Sequence, residues 1–115
     1  MHSKGALLEK IDEQKVVSFA ESKGFMVLKL NVLGRRGWPD RLFVYKGKVF
    51  FIEFKRAGET PVKLQQEIHA RIRSHNIDVH VVDNWADGSD IIRRVAKECD
   101  DLSGVHEGRH LHGGQ

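Results

Sequence analysis

The chain has 115 residues, of which 40% are hydrophobic and 30% are charged, and its formal net charge is +3 at pH 7. These values are typical of one globular domain, and no apolar run is long enough to span a bilayer. A single cysteine, Cys99, excludes an intrachain disulfide framework, and the first residues do not resemble a signal peptide. We therefore expect a cytoplasmic protein without a membrane partner, with one domain over residues 1–100 and a disordered tail over residues 101–115.

The first predicted element is a helix over residues 5–23, which ends at Gly24. Its apolar side carries Leu8, Ile11, Val16 and Phe19. Glu13 lies at the edge of that side, with Glu9 one turn earlier, so either carboxylate is a candidate for a neighbouring site. The alternative for both is a solvated helix surface.

A strand follows over residues 25–30, and a loop over residues 31–38 contains Arg35 and Arg36 between two glycines. We interpret the two arginines as phosphate contacts on a flexible approach to a site. An exposed basic loop without a ligand is the alternative.

The next two strands, over residues 41–45 and 48–55, form a predicted hairpin around a tight turn at residues 46–47. Asp40 precedes the first strand, while Glu53 and Lys55 lie near the end of the second. Because the open ends of a hairpin are neighbours and alternate residues share a face, two carboxylates and one ammonium group converge. The alternative is that Glu53 and Lys55 are alternating charges on a solvated strand.

That combination of groups suits the hydrolysis of a phosphodiester bond. Mg²⁺ prefers oxygen ligands, and it neutralises phosphate charge and activates an attacking water. Asp40 and Glu53 would supply the oxygens, and Lys55 would orient water or stabilise charge that develops on the phosphate. Between residues 29 and 73 there are eleven basic and four acidic side chains, a balance of +7, which favours a polyanionic substrate.

The second predicted helix begins with Thr60 as its N-cap and Pro61 in its first position. Its predicted core face carries Leu64, Ile68 and Ile72. Gln65 and His69 form the adjoining row. We expect Gln65 to reach the site and His69 to lie on the surface or at an interface.

A further strand is predicted over residues 78–82. Ser89 or Asp90 is then expected to cap a last helix that ends at Cys99. The predicted order of elements is therefore α-β-β-β-α-β-α.

Three motifs together resemble the VRR-Nuc family, the virus-type replication-repair nucleases of the PD-(D/E)xK superfamily. They are GRRGWPDRL at residues 34–42, VFFIEFK at residues 49–55 and PVKLQ at residues 61–65. The resemblance covers residues 8–83. Trp38 departs from the family pattern, in which a smaller residue precedes the proline.

The resemblance implies an α/β fold, a restriction-endonuclease-like αβββαβ(α) core with a mixed central sheet flanked by helices. It implies DNA cleavage that depends on Mg²⁺, with Mn²⁺ as a substitute, and no small-molecule cofactor. The implied catalytic residues are Asp40, Glu53, Lys55 and Gln65. The implied metal ligands are Asp40, Glu53, the Phe54 carbonyl and Glu13. The basic residues that we expect to contact DNA are Arg35, Arg36, Arg41, Arg56 and Lys63.

Small members of this family resemble Holliday junction resolvases, which implies a homodimer that acts on branched DNA in a bacterial or phage-infected cell. Cleavage of flaps or plain duplex is an alternative within the nuclease class. A nucleic-acid-binding module without turnover and a structural protein with only surface charges are the alternatives from other classes.

Overall fold

A mixed four-stranded sheet with helices on both faces organises the chain. The computed structural model describes residues 2–112, with side chains described for residues 12–102. Its elements are α1 (His2–Ser22), β1 (Met26–Lys29), β2 (Arg41–Tyr45), β3 (Lys48–Phe54), α2 (Lys63–Arg73), β4 (Asp78–Val82) and α3 (Trp85–His112). The predicted order and the predicted α/β fold are confirmed.

The strands lie in the order β1-β2-β3-β4. The first three are antiparallel neighbours, and β4 pairs in parallel with β3 after the crossover through α2. Lys46 and Gly47 both have positive φ angles, 45° and 86°, at the turn between β2 and β3. Two such residues form the turn whose twist matches that of the flanking strands, so the hairpin register is set locally.

One face of the sheet packs against α1 and α3 and forms the core. Phe43 and Phe50 occupy opposite positions on β2 and β3, are fully buried, and stack with ring centroids 5.1 Å apart. Val16 of α1 and Ile92 of α3 are also fully buried in this cluster. The apolar sides of the two long helices therefore cover this face, as the alternation along the strands requires.

The other face is covered by α2 only toward β4, where Glu53, Val79 and Ile72 are buried. Toward β1 it is apolar and half exposed. We call this region the apolar sheet face; its residues are Met26, Leu28, Leu42, Val44, Val49 and Phe51. Met26 is 62% and Leu28 49% exposed on the edge strand.

The predicted start of α2 is wrong. The helix begins at Lys63, and Val62 precedes it with extended φ and ψ angles of −73° and 167°. The Val62 N–H donates to the Gln65 side-chain oxygen at 3.0 Å, so Gln65 satisfies a free backbone donor at the helix start. Thr60 is therefore not the N-cap, and Pro61 lies before the helix.

The predicted start of α3 is also wrong. Asn84 Oδ1 accepts a hydrogen bond from the Asp87 N–H at 2.8 Å, which is the contact of an N-cap residue. Ser89, expected as a cap, is instead buried inside the helix, where its hydroxyl donates to the Ala86 carbonyl. Asp90, the other expected cap, lies in the same helix and pairs with Arg94.

Several ends differ from the predictions by a few residues or more. β1 lacks the predicted residues Phe25 and Leu30, β3 ends at Phe54, and α3 continues past Cys99 to His112. Residues 101–112, which were expected in a disordered tail, are part of α3, and residues 113–115 lie outside the described residues. The expected core contacts of Leu8 and Ile11 fall outside the described side chains. Within the part of the chain that is described, no helix is both long and apolar enough to traverse a bilayer.

Candidate active site

The site lies where β2 begins and β3 ends. Arg41 pairs with Ile52, so Asp40 and Glu53 occupy adjacent positions at the open end of the hairpin. The Asp40 carboxylate accepts a hydrogen bond of 2.7 Å from the Phe54 N–H through Oδ2, while its own carbonyl accepts one from the Leu30 N–H at 2.9 Å. The sheet thus holds the aspartate in place from both sides.

Glu53 is the buried centre of the site, with 2% of its surface exposed. Lys55 Nζ lies 3.6 Å from Glu53 Oε2, and Gln65 Nε2 donates to the same oxygen at 3.2 Å. The second oxygen, Oε1, is buried without a hydrogen-bond partner. The predicted convergence of Asp40, Glu53 and Lys55 is therefore present, Gln65 reaches Glu53 as expected, and one oxygen of Glu53 has no hydrogen-bond donor.

The surroundings of Glu53 disfavour its negative charge. Burial is the main cause and the charge of Asp40 the next, and together they raise the pKa of Glu53 from 4.5 to about 7. Lys55 opposes this rise, and Glu13 adds to it. Carboxylates held this close together are a site that a divalent cation would stabilise.

His69 is buried beside Glu53, so the expectation that it lies on the surface or at an interface is wrong. The imidazole is 1% exposed, and its Nε2 lies 3.6 Å from Glu53 Oε1, with no hydrogen-bond partner. Burial, followed by the charges of Arg73 and Lys55, lowers the pKa of His69. A signal for this position was present, because His69 follows Gln65 by four residues and thus shares its side of the helix.

Glu13, on α1, is close enough to Glu53 for its charge to raise the pKa of Glu53. Glu13 Oε2 pairs with Arg41 Nε at 2.7 Å, and only 11% of the Arg41 side chain is exposed. Arg41 thus pairs with a carboxylate of α1, and its expected contact with DNA stays a prediction. The side chain of Glu9, the alternative to Glu13, lies outside the described residues.

The oxygen donors fit a hard divalent cation. Asp40 and Glu53 present two carboxylates to one another, and the orphaned Glu53 Oε1 is a buried acceptor without a donor. Among residues 12–102, no group of three His, Cys, Asp or Glu side chains closes a metal site. Mg²⁺ needs no such group, because it takes one or two carboxylates and keeps several waters. The Phe54 carbonyl is a candidate third oxygen on the same strand end.

Basic side chains surround this centre on exposed segments. Arg35 and Arg36 lie in the loop before Asp40, Arg56 follows β3, and Lys63 begins α2. All four are exposed, so their positions are compatible with the phosphate contacts expected of them.

Comparison with known proteins places this chain beside a phage protein and a solved structure, among others. The chain is 38% identical over 73 residues to a protein named "Putative nuclease p44" from Acyrthosiphon pisum secondary endosymbiont phage 1, a match that covers 63% of this chain and 78% of the phage protein. It also resembles a solved structure titled "VRR_NUC domain", with 31% identity, a TM-score of 0.62, and coverage of 71% of this chain and 95% of that chain. No protein-family model matches.

Proposed function

This chain belongs to the VRR-Nuc family of nucleases, and we propose that it is an endonuclease that hydrolyses DNA phosphodiester bonds with Mg²⁺, for which Mn²⁺ substitutes. The observation that carries the proposal is the buried Glu53 carboxylate beside Asp40, with one oxygen unpartnered and an ammonium group at 3.6 Å. A purely structural protein has no evident use for such an anionic cluster, because burying it is costly.

The proposed roles follow from the contacts. Asp40, Glu53 and the Phe54 carbonyl would hold the cation, which when bound offsets phosphate charge and supplies the Lewis acidity for hydrolysis. Lys55 stabilises negative charge on the scissile phosphate and positions the attacking water. Gln65 fixes the orientation of Glu53 through its hydrogen bond, so it is a positioning residue.

The residues around this centre have supporting roles in the proposal. Glu13 tunes the affinity for the cation from α1, and its pair with Arg41 holds its carboxylate in place. Arg35, Arg36, Arg56 and Lys63 bind backbone phosphates. A DNA-binding module without turnover is the weaker proposal, because carboxylates that face phosphate would oppose binding unless a cation lies between them.

We extend the proposal to a homodimer that prefers branched DNA. The apolar sheet face supports it, because a monomer that exposes Met26 and Leu28 on an edge strand invites association with a second copy. A two-fold pair would carry two cleavage sites at a fixed spacing, which suits the symmetry of a four-way junction.

The test is an incubation of the purified protein with four DNAs of matched sequence: a four-way junction, a flap, a plain duplex and a single strand. Each is supplied with Mg²⁺, Mn²⁺ or EDTA. We expect cleavage that requires a cation and is fastest on the junction. Equal cleavage of all four DNAs would contradict the proposed preference for branched DNA. DNA binding without any cleavage would contradict the proposed nuclease activity.

A further inference from the structure

A cleft beside the candidate active site has no role in the chemistry described above. It lies between the loop of residues 31–38 and α2 and has a volume of about 150 Å³. Its lining consists of Arg35, Trp38, Ile68, Arg71, Ile72 and His75. An apolar cavity of similar volume accommodates a molecule of benzene, so the space suits a flat ring.

The wall that carries Trp38 is built by a close approach of the loop to α2. Gly37 has a φ angle of +87°, and a Cβ atom there would lie 3.0 Å from Leu64 Cγ, 3.1 Å from the Leu64 carbonyl oxygen and 3.2 Å from Ile68 Cγ1. Only glycine tolerates both this conformation and this contact. The loop is therefore packed on the helix, and Trp38 has a defined position in the cleft.

The lining combines apolar and cationic groups. Trp38, Ile68 and Ile72 are apolar, Arg35 and Arg71 are cationic, and no lining residue is acidic. Among the described side chains, the Trp38 ring stacks on no aromatic ring, and neither arginine forms an ion pair. An aromatic side chain and guanidinium groups that line the same cleft are the groups that proteins use to hold an unstacked base and its phosphates.

We propose that this cleft receives one unpaired nucleobase of the DNA, which stacks on Trp38 while Arg35 and Arg71 hold the flanking phosphates. The inference rests on the proposed function, since it assigns a substrate feature to the same protein.

The cleft lies close to the residues that are proposed to cleave DNA. Trp38 precedes Asp40 by two residues, so the two Cα atoms are at most about 7 Å apart. On α2, Ile68 in the cleft and Gln65 beside Glu53 are three residues apart and therefore neighbours on the helix surface. A base in the cleft would thus belong to a nucleotide close to the bond that is cut. Plain duplex offers no unpaired base, so the cleft would favour junctions, flaps and bulges.

Binding is measured by fluorescence anisotropy of labelled DNA in EDTA, so that no DNA is cut. Only the ratio of two affinities is interpreted, because repulsion between the cation-free carboxylates and phosphate affects both DNAs alike. Two otherwise identical duplexes carry a one-nucleotide bulge, either thymidine or an abasic sugar. We expect the wild-type protein to bind the thymidine bulge about 5- to 150-fold more tightly, the range that base–aromatic stacking provides. Trp38→Phe should retain this preference, whereas Trp38→Leu, which keeps apolar volume but loses the ring, should abolish it.

Arg71 is tested with a matched control. Arg71→Gln should weaken both bulged duplexes equally and lower the salt dependence of binding, because it removes a phosphate contact. Arg94→Gln, on the exposed side of α3 where Arg94 pairs with Asp90, should change neither quantity. Thermal melts of every variant establish that it is folded.

Equal affinity of the wild-type protein for the thymidine and abasic bulges would overturn the proposal. A folded Trp38→Leu variant that keeps the preference for the thymidine bulge would also overturn it. So would a Trp38→Leu variant that differs from the wild-type protein only in its oligomeric mass, because the cleft would then belong to an interface with a second copy of the chain. Because the assay contains no divalent cation, loss of the base preference is distinguishable from failure of the nuclease proposal. A protein that discriminates the bulges but never cuts DNA would refute only the latter.

Discussion

Replacing Glu53 with glutamine should stabilise the cation-free protein, although it removes a proposed ligand. The pKa of this buried carboxyl is raised from 4.5 to about 7, mainly by burial. Between these two pH values the folded state binds more protons than the unfolded state, so its stability decreases as pH rises through that window. Above pH 7 the wild-type protein carries the full cost of a buried, charged Glu53.

The magnitude follows from the same shift. One pKa unit corresponds to about 1.4 kcal/mol, so a rise from 4.5 to about 7 costs the folded state at most about 3.5 kcal/mol above pH 7. Glutamine has nearly the same shape, can still accept from Gln65, and carries an N–H that can donate toward His69 Nε2, which has no hydrogen-bond partner. We expect Glu53→Gln to increase the free energy of unfolding by about 1–3 kcal/mol at pH 8 and by much less at pH 5.

Urea denaturation in EDTA at pH 5 and pH 8 measures this difference for the wild-type protein and the variant. Glu67→Gln is the matched control, because Glu67 is an exposed glutamate of α2 and should show no such pH-dependent gain. A Glu53→Gln variant that is no more stable than the wild-type protein at pH 8 would contradict the expected cost of burying a charged Glu53. An equal effect of the substitution at both pH values would contradict it as well.

Three further changes test separate parts of the account. Gly37→Ala should lower the free energy of unfolding by about 1–3 kcal/mol. The loss should exceed that of Gly34→Ala, because Gly34 also has a positive φ angle but has open space around it. Equal losses in urea denaturation would contradict the close packing of Gly37 on α2. Glu13→Gln should need more Mg²⁺ for half-maximal cleavage, and an unchanged Mg²⁺ titration would show that Glu13 is not part of the site. Gln65→Ala should slow cleavage, and an unchanged rate would show that Gln65 is not part of it. Leu28→Lys on the apolar sheet face should halve the mass measured by light scattering and reduce junction preference without abolishing duplex cleavage; a persistent dimer would place the interface elsewhere.

The sequence predicts the central hairpin well because its signals are local. β2 and β4 match their predicted ranges, and the turn at Lys46 and Gly47 lies where the tight turn was expected. The alternation along β3 then directs Glu53 and Lys55 to one face, and antiparallel pairing brings Asp40 beside them. These steps require only neighbouring residues and a short connection.

The helix starts were harder to predict because side chains determine them. Thr60 and Pro61 have favourable composition for a helix start, but Val62 stays extended and Gln65 accepts from its N–H. In α3, Asn84 is the residue that caps the helix. Composition alone does not distinguish among several adjacent residues that could each serve as a cap.

The burial of His69 and the existence of the Trp38 cleft depend on contacts between distant segments. His69 is buried because α2 packs over the end of β3, where Glu53 occupies the facing position. The cleft exists because the loop at Gly37 lies against Leu64 and Ile68 of the same helix. The spacing of apolar residues within one helix or strand gives no information about contacts between distant segments. The sequence therefore predicts neither the burial of His69 nor the cleft.

The central claim is that Asp40, Glu53 and Lys55 form a cation-dependent catalytic site. It is tested most directly by the single-turnover cleavage rate of a four-way junction at saturating Mg²⁺. The wild-type protein should cut with Mg²⁺ and not in EDTA. Folded Asp40→Asn, Glu53→Gln and Lys55→Ala should each be slower by about 10²-fold or more, while Lys48→Ala, which removes an exposed lysine paired with Asp78, should cut at the wild-type rate. Cleavage by the wild-type protein in EDTA, or wild-type rates in any of the three site variants, would contradict the account.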